Sequence, residues 1–421
     1  MTNKIILFDS WTAGSIHLKY LNYEFKNSGW ELLLLHVGSW GHEKDFTYEK
    51  EVNGIICRDI KFYKGLGLYE IFELEKPRAV LFLSTRAFAH MAFNCIARYK
   101  KVPTFHLYHG LVTVQGIDSD GLVYKISPYL HLKKIINALS KNIFFIFPSY
   151  LLALIITKGK LKEYRAFLIE IFLKIKGEAL PDRFIVNTET NFGVVYLSSD
   201  ARHMELNYKV QKENIYVSGN PDLLKFNFID SHLLGYIDIK TNLNQCMYIE
   251  TGLVPSGFVF KNYNDYYEYL MNVRFHLEKM DVQMIFKPHP ATSSLFLDRL
   301  SIGGIKVTSN EEFRDNLYNS KFVLVEPSTL SILPTYFGKP IGLMKFGKLK
   351  EQSFGIILES YPFKVDIVSS DNLLDLASLK NQSELELKEW QNSHLGLNLL
   401  YSTEMIKNFI IKKINKYEEL S

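Results

Sequence analysis

The stretch that decides the fold is Gln283-Met284-Ile285-Phe286-Lys287-Pro288-His289-Pro290. A strand-like run leads straight into a histidine held between two prolines. Each proline ring fixes its own φ and pushes the residue before it towards extended geometry, so His289 is pinned just beyond a strand end. A second run, 322–325, finishes in Glu326-Pro327-Ser328-Thr329. The Ser/Thr pair reads as the opening of a helix, where hydroxyls and backbone N–H groups can hold an anion. Two strands ending in such chemistry predict a site at the carboxyl edge of a parallel sheet, fit for the phosphate of a nucleotide donor.

Outward from that stretch the alternation of strand and helix continues. Apolar β-rich runs stand at 5–8, 32–36, 79–83, 104–108, 193–197, 215–218, 246–249, 305–307 and 341–344, with helix-like stretches at 17–26, 87–100, 201–211 and 265–279 between them. Such alternation predicts parallel sheets covered on both faces. Ser218-Gly219-Asn220-Pro221-Asp222 is a turn cluster that closes the first half. The predicted architecture is α/β, with two Rossmann-like domains facing a cleft. Residues 1–224 form the acceptor-side domain, the polar stretch 225–244 a linker, and 245–400 a nucleotide-donor-binding domain. A C-terminal amphipathic helix follows at 401–421, with apolar residues at 406, 409, 410 and 414.

At 421 residues the chain suits two cores, and 47% apolar with 22% charged residues excludes a disordered protein. The cysteines Cys57, Cys95 and Cys246 stand far apart without a CxxC pair. That excludes a disulfide framework and a zinc site, and points to a reducing compartment. The N-terminal apolar run is short and ends at Asp9, unlike a signal peptide. A cytoplasmic protein is expected.

The net charge of +4 is unevenly placed. Between Lys125 and Lys176 there are ten Lys/Arg and two acids, Glu163 and Glu170. Inside this segment lies the apolar run 143–157, interrupted by Pro148 and short of the roughly 20 residues a spanning helix needs. A buried helical hairpin rich in lysine is one reading of the insert at 125–178. The other is a peripheral membrane-association segment, with apolar side chains entering the interface and lysines meeting anionic headgroups. The second places the protein at the inner face of the cell membrane. No nucleic acid is expected as a partner, because the centre of the segment is Phe, Ile and Leu.

Candidate site residues follow from their positions at strand ends. In the second half these are Thr251 and Gly252 in the turn after 246–249, then Lys287, His289, Glu326, Ser328 and Thr329. The glycine lets backbone approach a phosphate, His289 stabilises its charge, Lys287 adds charge or is simply solvated, and Glu326 is placed to meet ribose hydroxyls. In the first half, His106 points into the sheet, whereas His109 leaves it at the carboxyl end as a candidate general base. Gly110, Gln115 and Gly116 complete that loop. Asp9 with Gly14 and His17 forms a second acceptor-side candidate, and Asp118 and Asp120 a third.

The His-Gly turn in Tyr108-His109-Gly110-Leu111, the turn Val217-Ser218-Gly219-Asn220-Pro221-Asp222, Lys287-Pro288-His289-Pro290 and the Glu326-Pro327-Ser328-Thr329-Leu330 element together resemble bacterial glycosyltransferases of the GT-B fold. The likeness is to the capsule and lipopolysaccharide type, which includes sialyl- and polysialyltransferases, Kdo transferases and CDP-glycerol glycerophosphotransferases. It implies that His289, Ser328 and Thr329 bind donor phosphate and that His109 lies near the acceptor. It also implies an inverting, metal-independent transferase with no cofactor, the nucleotide-sugar being a substrate and a glycan or glycolipid the acceptor. A CMP-sugar is the expected donor. Two departures weigh on the finer assignment. Asp118-Ser119-Asp120-Gly121 carries a serine between the acids that sialyltransferases pair directly. Leu111 stands where glycerophosphotransferases usually have threonine. A CDP-alcohol polyol-phosphate transferase, a UDP-sugar 2-epimerase-like enzyme and a non-catalytic scaffold of a polysaccharide assembly complex are the alternatives.

Overall fold

The computed structural model describes residues 3–40, 47–108, 110–111, 142–176, 186–226, 228, 244–252, 254, 259–350, 354–378, 384–395 and 402–419. The strands of the first half are β1 (Lys4–Asp9), β2 (Glu31–His36), β3 (Glu49–Val52), β4 (Ile55–Asp59), β5 (Ala79–Phe82), β6 (Thr104–Leu107), β7 (Phe192–Val195) and β8 (Ile215–Val217). They form one sheet in the order β3-β4-β2-β1-β5-β6-β7-β8, parallel except for the β3–β4 pair. The second half contributes β9 (Gln245–Ile249), β10 (Gln283–Lys287), β11 (Lys306–Val307), β12 (Phe322–Val325), β13 (Ile341–Met344) and β14 (Lys364–Ile367). Their order is β11-β10-β9-β12-β13-β14, with all pairs parallel.

Both orders run outward from a central first strand, then reverse, which is the doubly wound arrangement of a Rossmann sheet. The expectation of two Rossmann-like α/β halves therefore holds. The strands are near-continuous apolar runs because helices cover both faces. All four residues of β5 and of β12 are buried, for example. In each sheet the direction of winding reverses beside the central strand, between β1 and β5 and between β9 and β12. A ligand meets the carboxyl ends of the strands at such a point.

The basic-apolar insert is helical where it is described, as a π-helical turn Asn142–Ile146 that runs into the helix Phe147–Ile156, followed by the helix Leu161–Lys176. Pro148 is the second residue of this α-helix, at its junction with the π-helical turn. One face is core: Ile146, Tyr150, Ala153, Leu154 and Phe167 are buried with residues of the helix Phe88–Tyr99. The other face exposes Phe144, Leu151, Leu152, Ile155, Leu161, Leu168 and Phe172 beside exposed Lys158, Lys160, Lys162 and Arg165. The buried face is that of the helical-hairpin reading. No helix among the described residues is long and apolar enough to cross a membrane.

The amphipathic helix Thr403–Glu419 follows the second sheet in sequence, yet it packs on the first half. Its Ile406, Ile410 and Ile414 join the core of Leu18, Leu21 and Phe25. Arg78 donates to Asn415 and Glu418 across the same contact. A second link joins the halves at the carboxyl ends of β6 and β7. There Leu111, Tyr196, Leu197 and Leu223 share a core with Ile332, Phe337 and Tyr361. The expected linker is not polar at its start, because Phe226 and Phe228 are buried in that same core.

Candidate active site

The carboxyl ends of β10, β9 and β12 lie side by side. Lys287 and Val325 both pair with Ile249. Beyond that row, Glu250 N–H donates to Lys287 O and Glu326 N–H donates to Ile249 O. Pro288, Glu250 and Glu326 are therefore neighbours by register, and His289 rises from the same edge.

His289 is half-buried and tightly set. Its backbone N–H donates to Glu250 Oε2 at 2.9 Å. Its ring Nδ1 accepts from Ala291 N–H at 3.2 Å, which assigns the ring proton to Nε2. Gly252, at φ +76°, lies against the ring. Burial lowers the imidazole pKa below its ordinary value, so the ring offers a neutral N–H donor. Of the two forms expected for His289, imidazolium or N–H donor, the surroundings favour the second.

Glu326 has a different place from the one its sequence position predicts. It is fully buried. Oε1 accepts from the hydroxyls of Tyr248 at 2.8 Å and Tyr266 at 2.7 Å, while Oε2 accepts from Thr251 N–H at 2.9 Å and Thr251 Oγ1 at 3.0 Å. Four donors occupy the carboxylate, which leaves none of it to meet ribose. Its effect is to fix Thr251, and through it the turn that carries Gly252. Burial pushes its pKa up, and the four hydrogen bonds oppose that shift.

Lys287 is not solvated either. It is 5% exposed and donates to Asn310 Oδ1 at 2.6 Å, with its ammonium over the rings of Phe226 and Phe313. Burial, with Lys225 nearby, pulls its pKa down to about 8. The helix expected after Glu326 is a 3-10 turn, Thr329–Ile332, followed by the single turn Leu333–Tyr336. Ser328 caps it, accepting from Leu330 N–H at 3.3 Å. So short an element supplies little dipole. Ser328 and Thr329 keep their place at the edge, both partly exposed.

A cavity of about 640 Å³ lies further along the same half, walled by Phe260, Tyr269, Phe346 and Lys348, with Ser369 and Ser370 at its rim. One helix, Tyr263–Lys279, serves both places: Tyr266 holds Glu326, and Tyr269, one turn later, faces the cavity.

In the first half, Asp9 ends β1 at the reversal point. Its Oδ1 accepts from Ser10 N–H at 2.6 Å and stands 3.6 Å from His90 Nε2. Gly14 is needed where it is, since a Cβ there would stand 2.2 Å from Asp9 Oδ2. His90 is buried beside the rings of Phe8 and Phe82, and neither ring nitrogen has a hydrogen-bond partner among the described residues. His106 is buried as expected, edge-on to Tyr108 and Tyr208. His17 stands in the first turn of the helix Ser15–Asn27, with its side chain outside the described set. Gly110 is half-buried. His109, Gln115, Gly116, Asp118 and Asp120 lie outside the described residues. Among the described residues no three His, Cys, Asp or Glu side chains group to hold a metal ion.

No protein-family model matches the sequence, and no curated protein does. Solved structures align with it at low identity and at TM-scores below 0.5. The S. aureus MnaA–UDP co-structure is 14% identical, with 100% of this chain and 98% of that one covered at a TM-score of 0.47. UDP-N-acetylglucosamine 2-epimerase from Rickettsia bellii is 14% identical over 99% and 96%, with a TM-score of 0.45. The wall teichoic acid polymerase TagF is 12% identical over 98% and 90%, with a TM-score of 0.46. At such identities the site has to be read from this chain's own side chains.

Three of those side chains escape the sequence reading. Glu250 had a signal, being an acid directly after a predicted strand and before Thr251-Gly252. His90 had none, because it sits inside a helical stretch whose neighbours are all apolar. Thr292, two residues past the Pro-His-Pro element, matters only because Glu250 reaches it. Together the second-half edge presents a neutral imidazole N–H, a glycine turn and partly exposed hydroxyls. That set can hold an anionic oxygen without a metal.

Proposed function

We propose that the protein is a glycosyltransferase that moves a sugar from a nucleotide-activated donor to a surface polysaccharide or lipid-linked acceptor. One observation carries this reading. His289 is fixed as an N–H donor at the carboxyl edge of a doubly wound sheet, against the Gly252 turn, and the Ser328–Thr329 pair follows another strand of the same edge. In the proposed reaction the acceptor oxygen bonds to the anomeric carbon as the bond from that carbon to the phosphate oxygen breaks. The electron pair leaves with the phosphate, where His289 and the Ser328–Thr329 hydroxyls meet it. The acceptor proton goes to a base of the first half, for which His109 and Asp9 are the groups proposed. The aromatic-walled cavity suits the flat base of the donor, with CMP-linked sugars as the first candidates. The apolar and basic face of the insert supports a post on an anionic membrane, where a lipid-linked acceptor is found.

The test is a melting screen of the protein with CMP, CDP, UDP and GDP. A nucleotide at a hundred times its Kd stabilises the native state by about 2.7 kcal/mol. The nucleotide that raises Tm names the donor base, and the shift should vanish in His289→Ala. If none of the four raises Tm, the donor reading fails.

A further inference from the structure

Glu250 has no task in the proposed reaction, yet it lies at its centre. It is the first residue beyond β9, the central strand of the second sheet, and is 2% exposed. Oε2 accepts from His289 N–H at 2.9 Å and from Thr292 Oγ1 at 2.6 Å, so this carboxyl fastens the turn that holds the imidazole. Among the described residues, Oε1 is buried without a hydrogen-bond partner. Among the described residues the titratable groups that act on it are Glu326 beyond β12, Tyr266 on the helix Tyr263–Lys279 and His289 beyond β10, with Tyr248 and Tyr269 grouped about Glu326. None is a cation. The tyrosines are driven above their ordinary range by burial, and the His289 ring is neutral. Glu326, whose carboxyl takes four hydrogen bonds while burial pushes its pKa up, is the acidic neighbour among the described residues.

A bare carboxylate oxygen in dry surroundings is costly, and a second carboxylate close by makes it more so. An anion bound at His289 adds a further negative charge on the other side. Protonation of Glu250 relieves both conflicts and leaves Oε2 free to accept its two hydrogen bonds.

We propose that Glu250 is a proton-coupled positioning residue: it holds the His289–Thr292 turn, and binding of a nucleotide phosphate draws a proton from solvent onto it, so that in the complex it holds the turn as a neutral carboxyl. The proton adds to Oε1, and no other bond forms or breaks. The inference rests on the donor reading of the His289 site. Burial first, then Glu326, push the Glu250 pKa up to about 7, while the bonds from Thr292 and His289 oppose the shift. Small changes near neutral pH therefore alter how readily the site takes its anion.

Calorimetric titration of the wild type and of Glu250→Gln with CMP, CDP and UDP tests this, in buffers of different ionisation enthalpy at pH 7.5. Glutamine keeps an acceptor oxygen for His289 and Thr292 but cannot titrate. Protonation of the nucleotide phosphate itself is common to both proteins and cancels in their difference. The wild type should take up between about half a proton and one proton more than the variant. Its Kd should weaken by up to about tenfold per pH unit above 7, relative to the variant. Equal proton uptake by two proteins that both bind nucleotide overturns the coupling and leaves the donor site standing. Absence of binding to the wild type overturns the donor reading, and this inference with it. Should the variant fail to fold, infrared difference spectra of the wild type give the same decision. A neutral-carboxyl C=O band that grows on nucleotide addition supports the proposal, and an unchanged band refutes it.

Discussion

The imidazole of His289 lies so close to the backbone of Gly252 that a Cβ built at residue 252 would stand 2.7 Å from Nδ1. Gly252 also has φ of +76°, a region that costs other L-residues about 1–2 kcal/mol. Gly252→Ala should therefore act twice, lowering Tm through the backbone and displacing the ring. A tenfold or greater loss of nucleotide affinity is expected, beyond what the fall in Tm explains. An alanine variant that binds like the wild type means that the ring does not touch the ligand.

The tautomer of His289 gives a second expectation. Because Nδ1 accepts from Ala291 N–H, the group offered outward is Nε2–H, and no positive charge is needed. Glutamine can place an amide N–H near the same point, whereas alanine cannot. His289→Gln should retain more turnover than His289→Ala, which should lose about two to three orders of magnitude, the usual effect of removing one donor to a developing anion. Equal loss in both variants would show that the ring acts by something other than its N–H.

Much of the fold can be read from the chain because the buried strands announce themselves. β5 and β12 are short and wholly apolar, β1 and β9 are apolar but for their end residues, and all four are placed between helix-like stretches. The antiparallel pair β3–β4 and the edge strand β14 go unread, since β3 and most of β14 are only partly buried and carry no continuous apolar run. The helix Thr403–Glu419 is legible from its apolar spacing, but not the sheet it docks on, because the Arg78–Glu418 contact joins residues 340 positions apart. At the site, His289 shows itself through its prolines. Glu326 misleads for a physical reason: an acid just past a strand can turn inward when two tyrosines and a threonine wait there.

The inward turn of Glu326 makes its own prediction. Glu326→Gln replaces one acceptor oxygen by an N–H₂ group among four donors, and the Thr251 N–H cannot reverse its direction. The amide can use a Tyr hydroxyl as acceptor only if that hydroxyl turns its own hydrogen away from its buried acceptor, at a cost of about 1–3 kcal/mol. Urea denaturation should show that loss, with nucleotide binding weakened as the Thr251 turn loosens. A variant as stable as the wild type would mean that Glu326 is neutral in the native protein and already donates one hydrogen.

The exposed face of the insert predicts membrane binding that depends on both apolar and basic side chains. Leu151, Leu152 and Ile155 are 39%, 47% and 58% exposed, so serine at these positions should leave the core intact. Each Lys near an anionic surface contributes about 1 kcal/mol. Co-sedimentation with phosphatidylserine vesicles should be strong for the wild type. It should weaken in Leu151→Ser/Leu152→Ser/Ile155→Ser and in Lys158→Glu/Lys160→Glu/Lys162→Glu, with only the first variant still responding to salt as the wild type does. Wild-type protein that stays in the supernatant at low salt rules the patch out as a membrane contact.

Glu250 should also mark the stability of the free protein. Its native pKa, about 7, lies above the ordinary 4.5, so between these values the folded chain binds more protons than the unfolded chain. Stability then falls as pH rises through that window, and levels off above it. His289 has the opposite sign: its native pKa lies below 6.5, so its contribution falls as pH drops. The two slopes partly cancel in the wild type, which is why the comparison must be with a variant. In Glu250→Gln the first slope is gone. Relative to the wild type, the variant should gain on the order of 1–3 kcal/mol between pH 5 and pH 8 in denaturant titrations. Parallel stability curves over that range would show that Glu250 does not titrate there, and that its carboxyl is ionised in spite of its burial.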